Sequence, residues 1–256
     1  MKKGKKITSI LLIMACMSTM LIGCGTSSDG AAAAGSDTLV MATNAAFPPY
    51  EYVENGEYVG IDVEIAQAIA KELGMELEIK DVEFGSIIAG VESGKFNMGM
   101  AGMTVTEERK QSVNFSDTYA TAVQSIIVPE GSAIASVDDL SSDIKIGVQQ
   151  DTTGDIYASD EYGDAVVRYK NGADAVQALV SGKVDCVIID NEPAKSFVAA
   201  NTGLQILDSA YAEEEYAICV AKDNEELLGQ INEALAKLKA DGTIDTIVSK
   251  YIPAED

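Results

Sequence analysis

Apolar positions after residue 37 change spacing several times between the two-residue period of a strand and the three-to-four-residue period of a helix. The predicted order is strand 38–43, helix 63–74, strand 75–84, helix 87–93 and strand 96–102. Gly74 and Gly94 are expected to end the two helices, and Asn55-Gly56 is expected to turn a hairpin. This order of elements favours a mostly parallel sheet.

The second half of the chain repeats this rhythm. The predicted order is a short helix start at 136–140, strand 144–148, a loop and helix from 149, strand 165–170, helix 173–182 and strand 184–190. Two strand-like segments, 115–131 and 213–224, separate the halves, and the helical stretch 226–252 is expected to pack back on the first lobe. The pattern predicts an α/β protein of two Rossmann-like lobes with mostly parallel sheets, joined by a two-strand hinge.

Two stretches of the chain share one pattern. Residues 87–102, IIAGVESGKFNMGMAG, and residues 175–190, AVQALVSGKVDCVIID, each pass through an apolar segment, Ser-Gly-Lys and a short strand-like run. We interpret each as the helix–strand unit of a separate, related lobe, although any short helix followed by a strand could look similar. Ligands of open parallel sheets bind beyond the carboxyl ends of the strands, so Gly102 and Asp190 are expected to face a cleft from opposite lobes.

The first 24 residues read as a targeting segment. Four lysines precede the apolar run 7–22, which is short for a membrane-spanning helix. The run ends in Leu-Ile-Gly-Cys, which resembles a bacterial lipobox, so 1–24 is predicted to be a lipoprotein signal peptide with Cys24 as the lipid-bearing residue. A plain signal peptide or an uncleaved anchor are the alternatives. Residues 25–36 are rich in Gly, Ser, Thr and Ala and are expected to form a flexible tether.

Charge and composition narrow the range of functions. The 256-residue chain has a formal net charge of −23 and contains no histidine. Without its first 24 residues it keeps 14 basic residues against 41 acids, about −27, because four of the 18 lie in that segment. A nucleic-acid partner and catalysis by a histidine base are therefore excluded. Cys186 and Cys219 lie in apolar runs, where two buried free thiols are favoured over a disulfide.

The stretch AGMTVTEER, residues 101–109, carries the most chemistry. Thr106 suits the N-cap of a helix, with two glutamates in the first turn. That role leaves Thr104 and Arg109 unexplained. A guanidinium beside a strand end and a helix start suits bidentate capture of a carboxylate, and a surface salt bridge is the alternative for Arg109.

Several ordered motifs together resemble a known family. They are ATNAAFPPYEY, VGIDVEIAQAIAKELG, AGMTVTEERKQSVNFSDTYA, GVQQDTTGD, VDCVIIDNEPA and ADGTIDTIVSKY, spread over nearly all of residues 38–252. The chain resembles the polar amino-acid-binding lipoproteins of bacterial ABC importers, extracellular solute-binding proteins of family 3 with the type II periplasmic-binding-protein fold. With this fold, the predicted boundaries are lobe 1 at 37–118, hinge at 119–123, lobe 2 at 124–213, hinge at 214–218 and a return to lobe 1 at 219–256.

The resemblance implies how a zwitterionic ligand would be held. Arg109 would pair with the α-carboxylate, assisted by the backbone at Gly102, the Thr104 hydroxyl and the backbone N–H of Thr153. Asp190 would accept hydrogen bonds from the α-ammonium. A cap for the segment that follows remains the alternative for Asp190.

The same resemblance places other residues around the ligand side chain. Phe47 and Phe84 would flank it, and Asn44 and Gln149 would read its polar end, while Ala101 lies in the site beside its glycine neighbour. A loop anchor for Phe47, a core position for Phe84 and simple exposure for Gln149 are the alternatives.

Two positions depart from the family pattern. Relatives that hold cationic side chains often have an acid at position 44, so Asn44 favours a neutral polar ligand such as glutamine. Glu51, Glu83 or Asp151 could reach the pocket instead. Position 151 is often glycine, and an acid there would weaken carboxylate binding unless its side chain points away.

The resemblance implies a monomeric binding protein rather than an enzyme, with no cofactor and no metal. It would capture a free amino acid at the extracellular face of the membrane, or on the periplasmic side in a cell with an outer membrane. It would hang there from a lipid anchor at Cys24 and deliver the ligand to ABC permease subunits. A dehydratase of an aromatic amino-acid precursor and a sensory protein that presents its ligand to a receptor are the alternatives.

Overall fold

The computed structural model describes residues 38–208 and 210–253. The predicted signal peptide, the tether and Cys24 lie outside these residues. Within them, no helix combines the length and the apolar character that crossing a membrane would need.

A five-stranded sheet organises the first lobe, in the order β5-β1-β6-β14-β7. Its strands are β1 Thr38–Thr43, β5 Glu76–Asp81, β6 Met98–Gly99, β7 Val113–Phe115 and β14 Cys219–Ala221. β1 runs parallel to β5 and β6, whereas β14 is antiparallel to both of its neighbours. The helices of this lobe are α1 Ile61–Leu73, α2 Ile87–Glu92, α3 Arg109–Ser112, α7 Glu225–Ala240 and α8 Thr243–Tyr251.

A small antiparallel sheet joins β1 to α1. It consists of β2 Ala46–Phe47, β3 Glu51–Glu54 and β4 Glu57–Val59. Asn55 and Gly56 turn the hairpin with φ of 52° and 86°, which confirms the predicted turn.

A second sheet has the order β10-β9-β11-β8-β12, with β13 also paired to β8. Its strands are β8 Ala120–Pro129, β9 Ile146–Gln149, β10 Val166–Tyr169, β11 Cys186–Asp190, β12 Leu204–Ile206 and β13 Ala212–Tyr216, and its helices are α4 Thr153–Tyr162, α5 Gly172–Val180 and α6 Asn191–Ala200. β9 is parallel to β10 and β11. All residues of β9 and β11 are buried, as expected for strands covered on both faces.

Two antiparallel strands connect the lobes. The chain leaves the first sheet after β7 and enters β8, and it returns along β13 before β14. β8 and β13 pair from Ala120–Tyr216 to Gln124–Ala212. The predicted two-lobe α/β fold with a two-strand hinge is therefore confirmed. The large sheets are mixed rather than mostly parallel, because β8 and β14 run antiparallel to their neighbours. The exact lobe boundaries stay predictions.

The structure corrects three predicted elements. The predicted strand 75–84 ends at Asp81, and Phe84–Ser86 form a turn of 3₁₀ helix. The predicted strand 96–102 shortens to β6, and Gly102 lies beyond its end with a left-handed φ of 52°. The helical stretch 226–252 is divided at Gly242, whose φ of 79° ends α7 and begins α8.

Other local predictions hold. α1 begins two residues earlier than predicted, at Ile61, and ends before Gly74, whose φ of 69° makes it the expected C-cap. α7 and α8 pack on α1, which returns the chain to the first lobe. Cys186 and Cys219 are free thiols, both buried.

Candidate functional site

A narrow cavity lies where strand ends of the two large sheets meet. Its walls are formed by Asn44, Phe47, Glu51, Phe84, Ala101, Gly102, Thr104 and Arg109 from the first lobe, and by Gln149, Thr152, Thr153 and Asp190 from the second. All ten residues that the sequence placed in a site therefore lie around one cavity. Glu51 and Thr152 join them.

Arg109 is buried, with 8% of its surface exposed. The Thr106 hydroxyl accepts a hydrogen bond from the Arg109 backbone N–H at 3.1 Å. The predicted N-cap is nevertheless shifted, because α3 begins at Arg109 and the residue before it is Glu108. The guanidinium donates to the carbonyl oxygens of Thr104, at 2.7 Å, and Asp151, at 3.2 Å, and lies over the Phe84 ring. These bonds use two of its five N–H groups.

Among the residues that the structure describes, the Arg109 guanidinium has no ion-pair partner. No carboxylate of the described residues comes within 4.0 Å of Arg109, so the surface salt bridge considered as an alternative is wrong. Burial lowers the pKa of Arg109, and the nearby Glu214 carboxylate opposes this effect. A buried, charged fork without a counter-ion is suited to an anionic ligand.

The Thr104 hydroxyl is already engaged. It donates to Oε2 of Glu214 at 2.9 Å, and Nε2 of Gln124 donates to the same oxygen at 3.1 Å. The Thr104 and Thr153 hydroxyl oxygens lie 3.5 Å apart across the lobes. Glu214 on β13 thus accepts hydrogen bonds both from Thr104 and from Gln124 on β8. Sequence reasoning missed Glu214 because its strand carries three consecutive glutamates, and only the tertiary fold distinguishes the buried one.

Asp190, the last residue of β11, is 7% exposed. The Tyr216 hydroxyl donates to its Oδ1 at 2.6 Å. Although Asp190 immediately precedes α6, its side chain makes no capping hydrogen bond, so the helix-cap alternative is wrong. Burial, followed by repulsion from Glu214, raises the pKa of Asp190. A cation in the cavity would stabilise the ionised form of this carboxyl.

Phe47 and Phe84 present rings to the cavity while packing against the core. Phe47 lies against Gly102, where an added Cβ would approach its Cε1 to 2.9 Å. The Cζ atom of the Arg109 guanidinium lies 5.2 Å from the centroid of the Phe84 ring. Each ring therefore combines a core position with a cavity wall. A side chain at position 102 would disturb Phe47, and the φ of 52° also favours glycine there.

Asn44 and Gln149 meet across the cavity. Nε2 of Gln149 donates to Oδ1 of Asn44 at 3.1 Å, and Nδ2 of Asn44 donates to the Val82 carbonyl at 2.8 Å. Gln149 is only 4% exposed, so the alternative of a merely exposed side chain is wrong. The pair links the two lobes directly.

Of the three acids considered as possible pocket residues, only Glu51 lines the cavity. Glu83 is exposed and forms an ion pair with Lys170 at 2.8 Å. The Asp151 side chain lies against Gly85, whose added Cβ would approach Oδ2 to 2.1 Å. Asp151 therefore contributes its carbonyl to Arg109 without being one of the residues that line the cavity.

Glu51 is 1% exposed and lies beside Asp62, the second residue of α1. Oδ2 of Asp62 accepts from the Gly102 N–H at 2.8 Å and from the Tyr119 hydroxyl at 2.8 Å. The Gly102 N–H is thus occupied by a protein carboxylate. Burial raises the pKa of both acids, that of Asp62 to about 6 and that of Glu51 well above its usual range.

Thr152 begins the helix on the opposite wall. Its hydroxyl donates to the Gln149 carbonyl at 2.8 Å and accepts from the Asp155 N–H at 3.4 Å, which caps α4. This cap directs the first turn of α4, with Thr153 at its start, toward the cavity. Two adjacent threonines at the start of a helix were the sequence signal that could have identified Thr152. The prediction placed only Thr153 in the site.

Two α/β lobes joined by two strands, with a polar cavity between their strand ends, define a type II periplasmic-binding-protein fold. The cavity contains the charges that a small zwitterion would require. The comparison with protein families agrees: residues 39–254 match the bacterial extracellular solute-binding proteins, family 3, and the chain belongs to that family.

Similar proteins support this assignment. The chain is 34% identical over 251 residues to the arginine-binding extracellular protein ArtP of Bacillus subtilis, covering 96% of this chain and 98% of that protein. It is 34% identical over 272 residues to the glutamine-binding protein GlnH of the same organism, covering 98% and 100%. The solved structure of an ancestral arginine-binding protein bound to glutamine has 41% identity and a TM-score of 0.82, covering 86% of this chain and 100% of that one.

The class of protein follows from these findings. The chain is a solute-binding protein of an amino-acid ABC transporter, of the kind found outside the cell or in the periplasm. It is not an enzyme, because its relatives are transport-associated binding proteins, and the dehydratase alternative finds no support.

Proposed function

We propose that the protein captures a free polar amino acid in this cavity and delivers it to ABC permease subunits in the membrane. The observation that carries the proposal is the buried, unpaired guanidinium of Arg109 in the same cavity as the buried carboxyl of Asp190. A zwitterion that leaves water needs a partner for each charge, or the cost of burial defeats binding. The cavity offers one partner from each lobe.

The two charged groups set the orientation of the ligand in this proposal. Its α-carboxylate pairs with Arg109, and the N–H of Thr153 at the start of α4 adds a donor, supported by the helix dipole. Its α-ammonium binds Asp190. Gly102 contributes a close backbone wall rather than its N–H, and Thr104 holds Arg109 through its carbonyl.

Four residues surround the ligand side chain in this arrangement. Phe47 and Phe84 flank its apolar part, and Asn44 and Gln149 meet its polar end. Amide groups suit an amide side chain, so glutamine fits the sequence-based expectation, and one ancestral relative was solved with glutamine bound. Because contacts come from both lobes, ligand binding favours the closed arrangement.

The attachment to the membrane is part of the same proposal. Lipidation at Cys24 and the 25–36 tether would hold the two-lobe body as a monomer at the outer face of the membrane, close to the permease. Replacement of Cys24 by serine is expected to release the protein into the medium, measured by fractionation of cells that express it.

Binding to Arg109 gives the direct test. The purified full-length protein, unfolded and refolded to remove bound ligand, is melted in the presence of each of the twenty amino acids. A ligand specific to the folded state adds about 2.7 kcal/mol of stability at a hundredfold excess over its Kd. Arg109→Met is expected to lose about 2–5 kcal/mol of binding free energy, whereas Lys110→Met removes a neighbouring exposed charge and keeps the affinity.

Failure would take one of two forms. If no amino acid raises the melting temperature of the refolded wild-type protein, the proposed function is wrong. If one does, but Arg109→Met binds it with wild-type affinity, the carboxylate site lies elsewhere.

A further inference from the structure

Four polar side chains form a buried cluster where the two connecting strands reach the cavity. Thr104 comes from the first lobe and Thr153 from the second, while Gln124 lies on β8 and Glu214 on β13. Each of the four is buried, with at most 6% of its surface exposed. Of these four, only the two threonines line the cavity. Glu214 can therefore influence a ligand only through its neighbours.

Strand pairing brings Glu214 to this position. β13 pairs with β8 in a register that places Gln124 and Glu214 two positions apart on the same face of the ribbon, where diagonal neighbours can touch. The Val105 N–H donates to the Glu215 carbonyl at 3.0 Å, so the segment that contains Thr104 runs beside β13. The cluster is thus a product of the tertiary fold rather than of any local motif.

The hydrogen bonds of the cluster have one direction. A carboxylate accepts and cannot donate. The Thr104 hydroxyl, 2.9 Å from Oε2 of Glu214, and Nε2 of Gln124, 3.1 Å from the same oxygen, must therefore both donate to it. Nε2 of Gln124 also donates to the Thr153 hydroxyl oxygen at 3.4 Å. Thr104 has then used its one hydrogen, whereas the hydrogen of Thr153 is still available.

The Gln124 carbonyl shows how strongly Glu214 governs this arrangement. Oε1 of Gln124 is buried and has no partner among the described residues. Half a turn of the amide would exchange its oxygen and nitrogen and let the oxygen accept from Thr153, but the oxygen would then also face the Glu214 carboxylate. Two acceptors cannot share a hydrogen bond. Glu214 thus sets the orientation of Gln124 and, through it, the direction of the Thr153 hydroxyl.

The contact between the threonines takes its direction from the same network. Their hydroxyl oxygens lie 3.5 Å apart, a distance at which either could donate to the other. Because the hydrogen of Thr104 is held by Glu214, Thr153 is the donor and Thr104 the acceptor. A ligand in the cavity therefore meets a lone pair at Thr104 and a hydrogen at Thr153.

We propose that Glu214 is a positioning residue that fixes the direction of both cavity hydroxyl groups, so that Thr104 only accepts a hydrogen bond from the ligand and Thr153 donates one to it. The inference rests on the proposed amino-acid binding and deepens it. An α-carboxylate at Thr104 would meet a lone pair with the Glu214 charge behind it, so this hydroxyl favours the α-ammonium end. The assistance to the carboxylate that the sequence assigned to the Thr104 hydroxyl belongs to the Thr153 hydroxyl instead.

The positions of the hydrogen atoms test the proposal directly. Neutron diffraction would use deuterated crystals of the wild-type protein grown with L-glutamine and with L-arginine, each of which is bound in a solved ancestral relative. The Thr104 deuterium is expected on the side of Glu214, and the Thr153 deuterium on a carboxylate oxygen of the bound amino acid. A purely structural role of Glu214 predicts no such order. A Thr104 deuterium that points at the bound amino acid would overturn the proposal.

Three variants measure what the fixed direction contributes to binding. Glu214→Leu removes both acceptor oxygens and is expected to raise the Kd for L-glutamine and L-arginine alike by about tenfold or more. Glu214→Gln removes the charge but keeps an oxygen that accepts from Thr104, and should recover most of the lost affinity. Glu215→Gln changes an exposed acid on the same strand and should keep the wild-type Kd. Titration calorimetry of refolded protein gives the Kd values, and circular dichroism establishes folding.

A double-mutant cycle links Glu214 to the hydroxyl that it orients. Thr104→Val keeps the shape of the side chain without its oxygen and is expected to raise the Kd by about tenfold in the wild-type background. In the Glu214→Leu background the Thr104 hydroxyl no longer has a fixed direction, so the same change should cost clearly less. Costs that multiply in the double variant would contradict the coupling.

The outcomes separate the two proposals. If the folded Glu214→Leu variant keeps the wild-type affinity, or if Glu214→Gln binds as weakly as Glu214→Leu, the role of Glu214 is overturned and the proposed function stands. If neither L-glutamine nor L-arginine binds the wild-type protein, the role of Glu214 is also overturned, while the proposed function falls only if none of the twenty amino acids binds. If Glu214→Leu does not fold, the neutron measurement on the wild-type protein still decides.

Discussion

Buried ionisable side chains surround the cavity in unequal numbers. Buried Arg109 shares this region with four buried acids, Glu51, Asp62, Asp190 and Glu214. Of these, Glu214 and Asp190 act on the charge of its guanidinium. Asp62 and Glu214 each receive hydrogen bonds on one oxygen, but Oδ1 of Asp62, Oε1 of Glu214 and Oε2 of Glu51 are buried with no partner among the described residues. Buried charges without partners lower the free energy of unfolding. The residues around the cavity are therefore better suited to binding a charged ligand than to stabilising the fold.

Asp190 offers the sharpest test at the level of single residues. Asp190→Asn keeps the size of the side chain and can still accept from the Tyr216 hydroxyl, but it cannot neutralise an α-ammonium. The binding free energy is expected to fall by about 2–5 kcal/mol, measured by titration calorimetry with the amino acid that the melting screen identifies. Asp185→Asn, an exposed acid in the same helix–strand unit, provides the control. Equal affinity in the two variants would contradict the role of Asp190.

The identity of the cavity residues was more predictable than their hydrogen bonds. Arg109 and Asp190 follow strands that the apolar pattern reveals, and the rule that ligands bind at strand ends places both in a cleft. The partners of Thr104 and Gly102 are Glu214 and Asp62, which are 110 and 40 positions away in sequence. No local pattern encodes such partners, so the sequence could not predict that these donors are already occupied.

At the level of elements, α4 forms the wall of the cavity from which the Thr153 N–H would bind the carboxylate. Its N-cap, Thr152, accepts from the Asp155 N–H and donates to the Gln149 carbonyl. Both bonds fix the orientation of the first turn. A ligand held by this turn, as proposed, would therefore depend on the stability of the helix start.

Thr152→Val removes the cap while conserving shape. The free energy of unfolding is expected to fall by about 0.5–2 kcal/mol, and ligand affinity should fall as well because the first turn of α4 frays. Chemical denaturation with and without ligand measures both effects. Thr243→Val, at the start of α8 where no side chain caps the helix, is the control and should cost less. A Thr152 variant as stable as the control would show that the cap bonds contribute little.

Helices were predicted better than short strands, for a physical reason. α1 shows apolar periodicity over 13 residues and ends at a glycine, so local preferences and tertiary packing agree. β6 contains two residues, and its limits depend on pairing with β1 and β14, which lie far away in sequence. The turn of 3₁₀ helix at Phe84–Ser86 follows an alternating pattern that resembles a longer strand. There the local sequence gives no signal for the end of the strand.

For the molecule as a whole, the two repeated stretches are equivalent helix–strand units that both end at the cavity. Residues 87–102 contain α2 and β6, and residues 175–190 contain α5 and β11. The two stretches end at Gly102 and Asp190, which lie in the walls of one cavity. The lobes also touch there through the Asn44–Gln149 hydrogen bond. Similar helix–strand units thus supply different groups to the same site, a backbone wall from one lobe and a charge from the other.

The buried acids predict how the stability of the ligand-free protein depends on pH. Burial raises the pKa of Asp62 to about 6 and raises those of Glu51 and Asp190. An acid whose pKa is higher in the folded state than in the unfolded state stabilises the fold fully at low pH. That contribution is lost as the pH rises through the folded-state pKa. The free energy of unfolding should therefore increase as the pH falls from about 8 to about 5, and relief of repulsion among the many acids acts in the same direction.

Denaturation of the refolded, ligand-free protein across this pH range measures the effect. Glu51→Gln should reduce the slope because it removes one of the titrating groups, whereas Glu83→Gln, an exposed acid, should leave it nearly unchanged. Bound amino acid should oppose the trend, since its ammonium stabilises the ionised form of Asp190 and its binding weakens as that carboxyl is protonated. The melting-temperature shift produced by ligand should therefore shrink on acidification. The opposite result would be a ligand-free protein that becomes less stable as the pH falls from about 8 to about 5. It would show that these carboxyl groups are ionised in the folded protein and are stabilised there without a ligand. The raised pKa values of the buried acids would then be wrong.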